Sequence, residues 1–386
     1  MMYDFDILIN RYNTDSVKYD FALERGKPAD VIPMWVADMD FAAPPEVLAD
    51  IQKAVTHGIF GYTEVKDDYY QALSSWFSSR FGFHFNDKDV IKVPGVVFAL
   101  AQAVVAFTQP SDSVIIQTPV YRPFYQVVET NGRKLVCNPL VYTNGTYAID
   151  FADFERKVRT ENVKLFILCS PHNPVGRVWE RGELEELNRI CVKYGVIIVS
   201  DEIHCDFVYP GYKHTCFGLI NEDAVIATAP SKTFNLAGLQ AANIVVKNTD
   251  LRNKLAATVA NTGFGHLNTI AYAACRSAYA HGAAWLEQLI QYLAENIRLV
   301  RDFLATELPD VKLCEPQGTY LLWLDFAAYH LTQDELDRRM TEGARLWLNS
   351  GTIFGKEGHG FQRMNIACPK ATLQTALERL GREFAR

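Results

Sequence analysis

Between residues 114 and 246 the chain repeats one pattern: a short apolar run rich in β-branched residues, then a longer polar stretch, part of it with helical spacing. The runs are 114–117 (VIIQ), 163–169 (VKLFILC), 196–200 (VIIVS), 224–228 (AVIAT) and 243–246 (NIVV). Runs this continuously apolar suit strands covered on both faces. The intervening ELEELNRICVKYG at 183–195 places its apolar residues three and four apart, on one helical face. Strand and helix in alternation predict an α/β architecture, a mainly parallel sheet covered by helices.

Around that unit the sequence reads differently. Residues 1–45 are rich in Asp, Asn, Tyr and Pro and read as an irregular arm. A large domain is expected over 46–285, beginning with helices at 46–57 and 69–81. A smaller α+β domain follows at 286–386. One long helix at 271–304 joins the two, and the small domain holds strands at 320–326 and 363–367 and helices at 334–348 and 371–384. The chain's 386 residues suffice for two such domains.

Several function classes are disfavoured. The net charge is −7 with Lys and Arg dispersed, so no basic stripe marks a nucleic-acid partner. No apolar run approaches the roughly 18 residues of a membrane span, and MMYDFDILIN lacks the basic and apolar regions of a secretory signal. A cytoplasmic location is expected. The eight cysteines form no CxxC and several sit in apolar runs, as buried reduced thiols do. His204, Cys205, His214 and Cys216 have a spacing that matches no familiar zinc module, and no metal is expected. Gly263–Gly265 and Gly355–Gly360 lack the strand-before, helix-after context of a dinucleotide fingerprint.

The polar residues just beyond three strands carry the chemistry. Run 163–169 leads into SPHNPVG with Asn173, run 196–200 into DEIH with Asp201, and run 224–228 into APSKTF with Lys232. Ligands of open α/β sheets gather at the carboxyl ends of strands, so an Asn, an Asp and a Lys face one crevice. These types suit pyridoxal 5′-phosphate (PLP), which needs a Lys amine for a Schiff base and a carboxylate to keep its ring nitrogen protonated. Asn donates a hydrogen bond to the ring's 3′ oxygen. Plainer readings exist: Asp201 as a helix cap, Asn173 as part of a Pro-rich turn, Lys232 as a solvated surface residue.

SPHNPVG, SDEIH and SKTFNLAG resemble the motifs of fold-type I PLP enzymes, the aspartate aminotransferase superfamily. WVADMDF (35–41), PGVVFAL (94–100), SDEIHCDF and RMNIACP (363–369) are more narrowly similar to the MalY/PatB cystathionine β-lyase family, and they occur in the same order over nearly the whole chain. The resemblance implies that Lys232 holds the cofactor and moves the Cα proton. It places Asp201 at the pyridine nitrogen, Asn173 at the 3′ oxygen and Tyr121 against the ring face. Val96 and Val97, after Gly95, would offer backbone N–H groups to the phosphate, joined by the Ser231 hydroxyl. Tyr62 would reach the phosphate of a neighbouring subunit, implying a homodimer. Arg363 would clamp the α-carboxylate of an amino-acid substrate, and arm residues such as Trp35 would shape the side-chain pocket. Tyr121 and Arg363 also have structural readings, as core packing and an ion pair, and Tyr62 has a purely structural reading as well.

The chain departs from aminotransferases at three positions. His204 stands where they usually carry Tyr, Ala229 where they often carry Ser, and Gln240 where they often carry a phosphate-binding Arg. The family's usual KWD near the start is Lys18-Tyr19-Asp20 here. The first three departures fit the lyase branch, and the last keeps an aromatic ring with its packing role left open. The expected activity is α,β-elimination from L-cystathionine or a related cysteine S-conjugate, giving a thiol, pyruvate and ammonia. Transamination of an L-amino acid is the first alternative. A PLP-binding regulatory protein acting through a protein partner is the second.

Overall fold

A computed structural model of the chain describes residues 2–385. The apolar runs form a seven-stranded sheet. Its strands are β1 (Val90–Val93), β2 (Ser113–Thr118), β3 (Lys134–Pro139), β4 (Val163–Cys169), β5 (Ile197–Asp201), β6 (Val225–Thr228) and β7 (Ala242–Val245). Their order is β1-β7-β6-β5-β4-β2-β3, and β7 alone opposes its neighbours. Successive side chains of a strand point to opposite faces. Ile115, Phe166, Leu168, Ile198 and Ile226 therefore enter one apolar core. Val114, Ile116, Leu165, Ile167, Val199 and Val225 enter the other. Burial on both faces is why these strands lack an alternating polar pattern.

A four-stranded antiparallel sheet forms near the C-terminus from β8 (Lys312–Leu313), β9 (Leu321–Asp325), β10 (Asn349–Ser350) and β11 (Phe361–Asn365), in the order β8-β9-β11-β10. The arm is largely irregular, but Ile32–Pro33 pairs in parallel with Leu346–Trp347. Among the described residues no helix is long and apolar enough to cross a membrane.

Two expected elements differ. The helix expected over 271–304 is two helices, Thr269–His281 and Ala283–Glu307, separated at Gly282. A Cβ at Gly282 would lie 2.2 Å from the Phe234 ring and 2.6 Å from the Ala278 carbonyl oxygen, so the ring occupies the space a side chain needs. Gly282→Ala should destabilise the chain by about 1–3 kcal/mol through overpacking, read as a lower urea midpoint. An unchanged midpoint would show that Phe234 yields freely. The helix expected over 334–348 ends early: Gln333–Arg338 is α-helical, Arg339–Gly343 is one π turn, and the strand at Leu346–Trp347 follows. Its apolar residues serve the pairing with the arm, which local periodicity does not reveal.

Candidate active site

The carboxyl ends of the sheet bring the chemistry together. Register aligns Cys169 with Asp201 and Asp201 with Ala227 across β4, β5 and β6. Asn173 lies in the turn after β4, Asp201 closes β5, and Lys232 sits on the short helical turn Pro230–Thr233 after β6. Tyr121 follows β2, and beyond β1 the chain passes Gly95 into the helix Val96–Phe107. A cavity of about 190 Å³ is lined by Val96, Val97, Tyr121, Asn173, Asp201, His204, Ser231 and Lys232, with Ala37 and Ile203 among the others. Larger hollows, such as the 510 Å³ recess beside Arg80 and His214, contain none of these eight.

The charges here are poorly compensated. Asp201 is 5% exposed, and its Oδ1 accepts a hydrogen bond from the Ile203 N–H at 3.1 Å. It has no salt-bridge partner among the described residues. Burial pushes its carboxyl up to about 7, against the opposing pull of that N–H and of Lys232. Burial likewise pushes the Lys232 amine down to about 8. His204 is held well below its ordinary value by burial, with Lys232 and Arg363 adding to the effect, and its Nδ1 is buried without a partner. Burial raises the Tyr121 phenol.

Arg363 lies on β11, paired with Trp323 of β9 and Asn349 of β10. Its guanidinium donates to Asn173 Oδ1 at 2.9 Å, to the Trp35 carbonyl at 2.8 Å and to Asn349 Oδ1 at 2.5 Å. It packs 4.7 Å from the centre of the Phe354 ring. No carboxylate pairs with it among the described residues, its Nε has no partner, and burial lowers it to about 10. A buried guanidinium without an anion is ready to receive a carboxylate.

Three expected residues are absent from the cavity lining: Arg363, which reaches it through Asn173, and Trp35 and Tyr62, which lie elsewhere. The Trp35 ring is absent from the cavity lining; it stacks on Trp347 at 4.4 Å with the Arg25 guanidinium 5.0 Å from its centre, and it is the Trp35 carbonyl that reaches Arg363. Tyr62 is fully exposed and lies apart from the cavity in a single chain, beside a hollow shared with Phe60 and the 263–270 segment. Sequence reasoning passed over Ala37 and Tyr320. Lys232 Nζ donates to the Ala37 carbonyl at 2.7 Å, and the Tyr320 hydroxyl donates to the same oxygen at 2.9 Å. Ala37 lies inside the motif 35–41, so the signal was present, but a backbone carbonyl leaves no mark in residue type.

These groups fit PLP. Asp201 is a buried acid without a cation, which a protonated ring nitrogen would supply. Lys232 is a buried amine with a lowered pKa, reactive toward an aldehyde. The helix beginning at Val96 has no side-chain cap at Gly95, so its first N–H groups remain for a phosphate. Ser231 Oγ, 3.5 Å from the Ala241 carbonyl, retains capacity for a further bond.

The chain belongs to the aminotransferase class I and II family, whose model matches residues 29–380, and its fold is that of the fold-type I PLP enzymes. Within that family it is 45% identical to cystathionine β-lyase PatB of Bacillus subtilis over 381 residues, covering 98% of both chains. It superposes with a TM-score of 0.96 on a PLP-bound putative aminotransferase from Clostridium difficile 630, at 36% identity over 99% of this chain and 100% of that one. The PLP-bound C–S lyase of Staphylococcus hominis gives a TM-score of 0.93 at 34% identity, over 100% and 99% of the two chains.

Proposed function

We propose that this protein is a PLP-dependent carbon–sulfur β-lyase. It cleaves L-cystathionine or a related cysteine S-conjugate to a thiol, pyruvate and ammonia. The observation that carries the reading is the convergence of Lys232, Asp201, Asn173 and Tyr121 on one cavity beside an anion-free Arg363. The similarity to a cystathionine β-lyase over 98% of the chain directs it to sulfur.

Bound PLP supplies a cationic ring that accepts the electron pair left when the substrate Cα loses its proton. Arg363 holds the substrate α-carboxylate with its paired N–H groups, and Asn173, already bonded to Arg363, ties the clamp to the 3′ oxygen of the ring. Lys232 Nζ anchors the cofactor, then takes the Cα proton. Asp201 keeps the ring nitrogen protonated, and Tyr121 covers the ring face. Val96, Val97 and Ser231 donate to the phosphate. His204 packs edge-on against Tyr320, with ring centres 5.8 Å apart, and lines the cavity that would hold the cofactor.

A homodimer completes the site. The exposed Tyr62, with Ile59 and Phe60 exposed beside it, supplies a phosphate contact to the neighbouring subunit. This offsets the Gln240 that stands in place of a cation. Trp35 braces the clamp through its carbonyl. The large unit spans 46–285 and the small one 286–386 with the arm 1–45, and the helix break at Gly282 lies close to that junction. The protein works in the cytoplasm.

The aminotransferase-like architecture favours one rival, transamination, which shares the Cα proton step. Product analysis separates the two. Purified protein should release pyruvate and thiol steadily from cysteine conjugates without any 2-oxo acid acceptor. Strict dependence on an acceptor would replace the lyase reading with the aminotransferase one.

A further inference from the structure

The Ala37 carbonyl that accepts from Lys232 belongs to a firmly held segment. Asn365 Nδ2 donates to the carbonyls of Val36 and Asp38, at 2.6 Å each. Asn235 accepts from the Met39 N–H and donates to the carbonyls of Met39 and Phe41. On the outer side Arg11 grips both Asp38 oxygens, at 3.0 and 2.8 Å. Lys18, only 1% exposed, lies 3.5 Å from Asp38 Oδ1 and 3.0 Å from Asp40 Oδ1. Tyr19 donates its hydroxyl to Asp40, so this chain's Lys-Tyr-Asp sequence joins the network directly. Two cations, Arg11 and Lys18, therefore meet two carboxylates, Asp38 and Asp40, immediately after Ala37.

We propose that Asp38 is a positioning residue for Lys232. Its anchored carboxylate fixes the Ala37 carbonyl, with Tyr320, as the berth that receives the lysine amine when that amine is free of cofactor, and its charge favours the ammonium form there. The inference rests on Lys232 being the group that moves the Cα proton. In that step the neutral Nζ forms a new N–H bond with the Cα proton, and the electron pair of the broken C–H bond passes to the cofactor ring. The ammonium so formed then donates to Ala37.

The groups facing Lys232 come from every side of the site: Asp38 from the arm, Asp201, His204 and Tyr121 from the strand ends, and Arg363 and Tyr320 from the smaller sheet. Burial lowers the amine; Asp38 opposes it more than any other group, Arg363 lowers it further, and Asp201 raises it. An anion that stabilises the ammonium raises its pKa, and removing the anion lowers it.

The test reads Lys232 itself. In the cofactor-free full chain, brief acetylation followed by peptide mass spectrometry gives the fraction of neutral Lys232 at each pH, expected to rise through about pH 8. Asp38→Asn should move that rise to lower pH by about half a unit or more. Arg11→Gln leaves Asp38 charged but strips its strongest partner, and should move the rise to higher pH. In the holoenzyme, the acid limb of Cα-hydrogen exchange with solvent should move in the same two directions. A rise that stays at the wild-type pH in both variants, or moves the same way in both, overturns the inference. If Asp38→Asn does not fold, Arg11→Gln decides alone. Exchange at Cα without pyruvate release would sink the lyase reading and leave this inference standing.

Discussion

Replacing Lys232 with alanine is expected to abolish the near-visible absorbance of the lysine-bound cofactor and to lower turnover by roughly 10³-fold or more. The size of the effect follows from placement. Lys232 is the amine that lines the cavity, and burial already lowers it to about 8, so a usable fraction is neutral near physiological pH. On the proposed mechanism, alanine at 232 would remove both the covalent anchor and the proton acceptor, and Arg363, at about 10 and bonded to three acceptors, would be no substitute base. Absorbance spectroscopy and pyruvate release from cystathionine give the two readouts. Wild-type turnover by Lys232→Ala would remove the residue from the chemistry altogether.

Asp201→Asn is expected to divide activity from stability. Removing one partner of a buried ion pair costs about 3–5 kcal/mol. Expressed in the transition state, that is a fall in kcat of roughly 10²- to 5 × 10³-fold. The cofactor-free chain should respond in the opposite sense. Its Asp201 carboxyl is raised by burial to about 7, above the unfolded value. The folded chain therefore binds this proton more tightly than the unfolded one does, and wild-type stability falls as pH rises from the ordinary carboxyl range to about 7. Asparagine carries no such penalty. The urea midpoint of cofactor-free Asp201→Asn should accordingly gain on wild type across that window. A midpoint below wild type at every pH would mean that the single bond to the Ile203 N–H outweighs the burial of charge.

Much of the sheet was legible because its strands are buried on both faces. β4 occupies the same residues, 163–169, as its apolar run, and the polar residues after β4, β5 and β6 meet as topology requires. What escaped was set by distant contacts. The strand Val90–Val93 contains Lys92 and is only half-buried, so no apolar run announces it. Lys134–Pro139 mixes Asn138 and Cys137 with its aliphatics for the same reason. The strand at Leu346–Trp347 answers to residues 32–33, about three hundred positions away. At the site, the eight residues picked out by type or motif line one cavity, whereas Ala37 contributes a carbonyl and Tyr320 sits just before a strand. Trp35 was expected to shape the side-chain pocket; its ring stacks on Trp347, and its carbonyl accepts from Arg363.

The parallel pairing of Ile32–Pro33 with Leu346–Trp347, and the bond from Arg363 to Trp35, link the first tenth of the polypeptide to its last. Such a pairing closes a loop of roughly three hundred residues before any of its contacts can form. Contacts within the seven-stranded sheet span shorter stretches of chain, so the ends of its strands are expected to assemble before the Arg363 side of the cavity does. Under the proposed function, selectivity is then the last property expected to form.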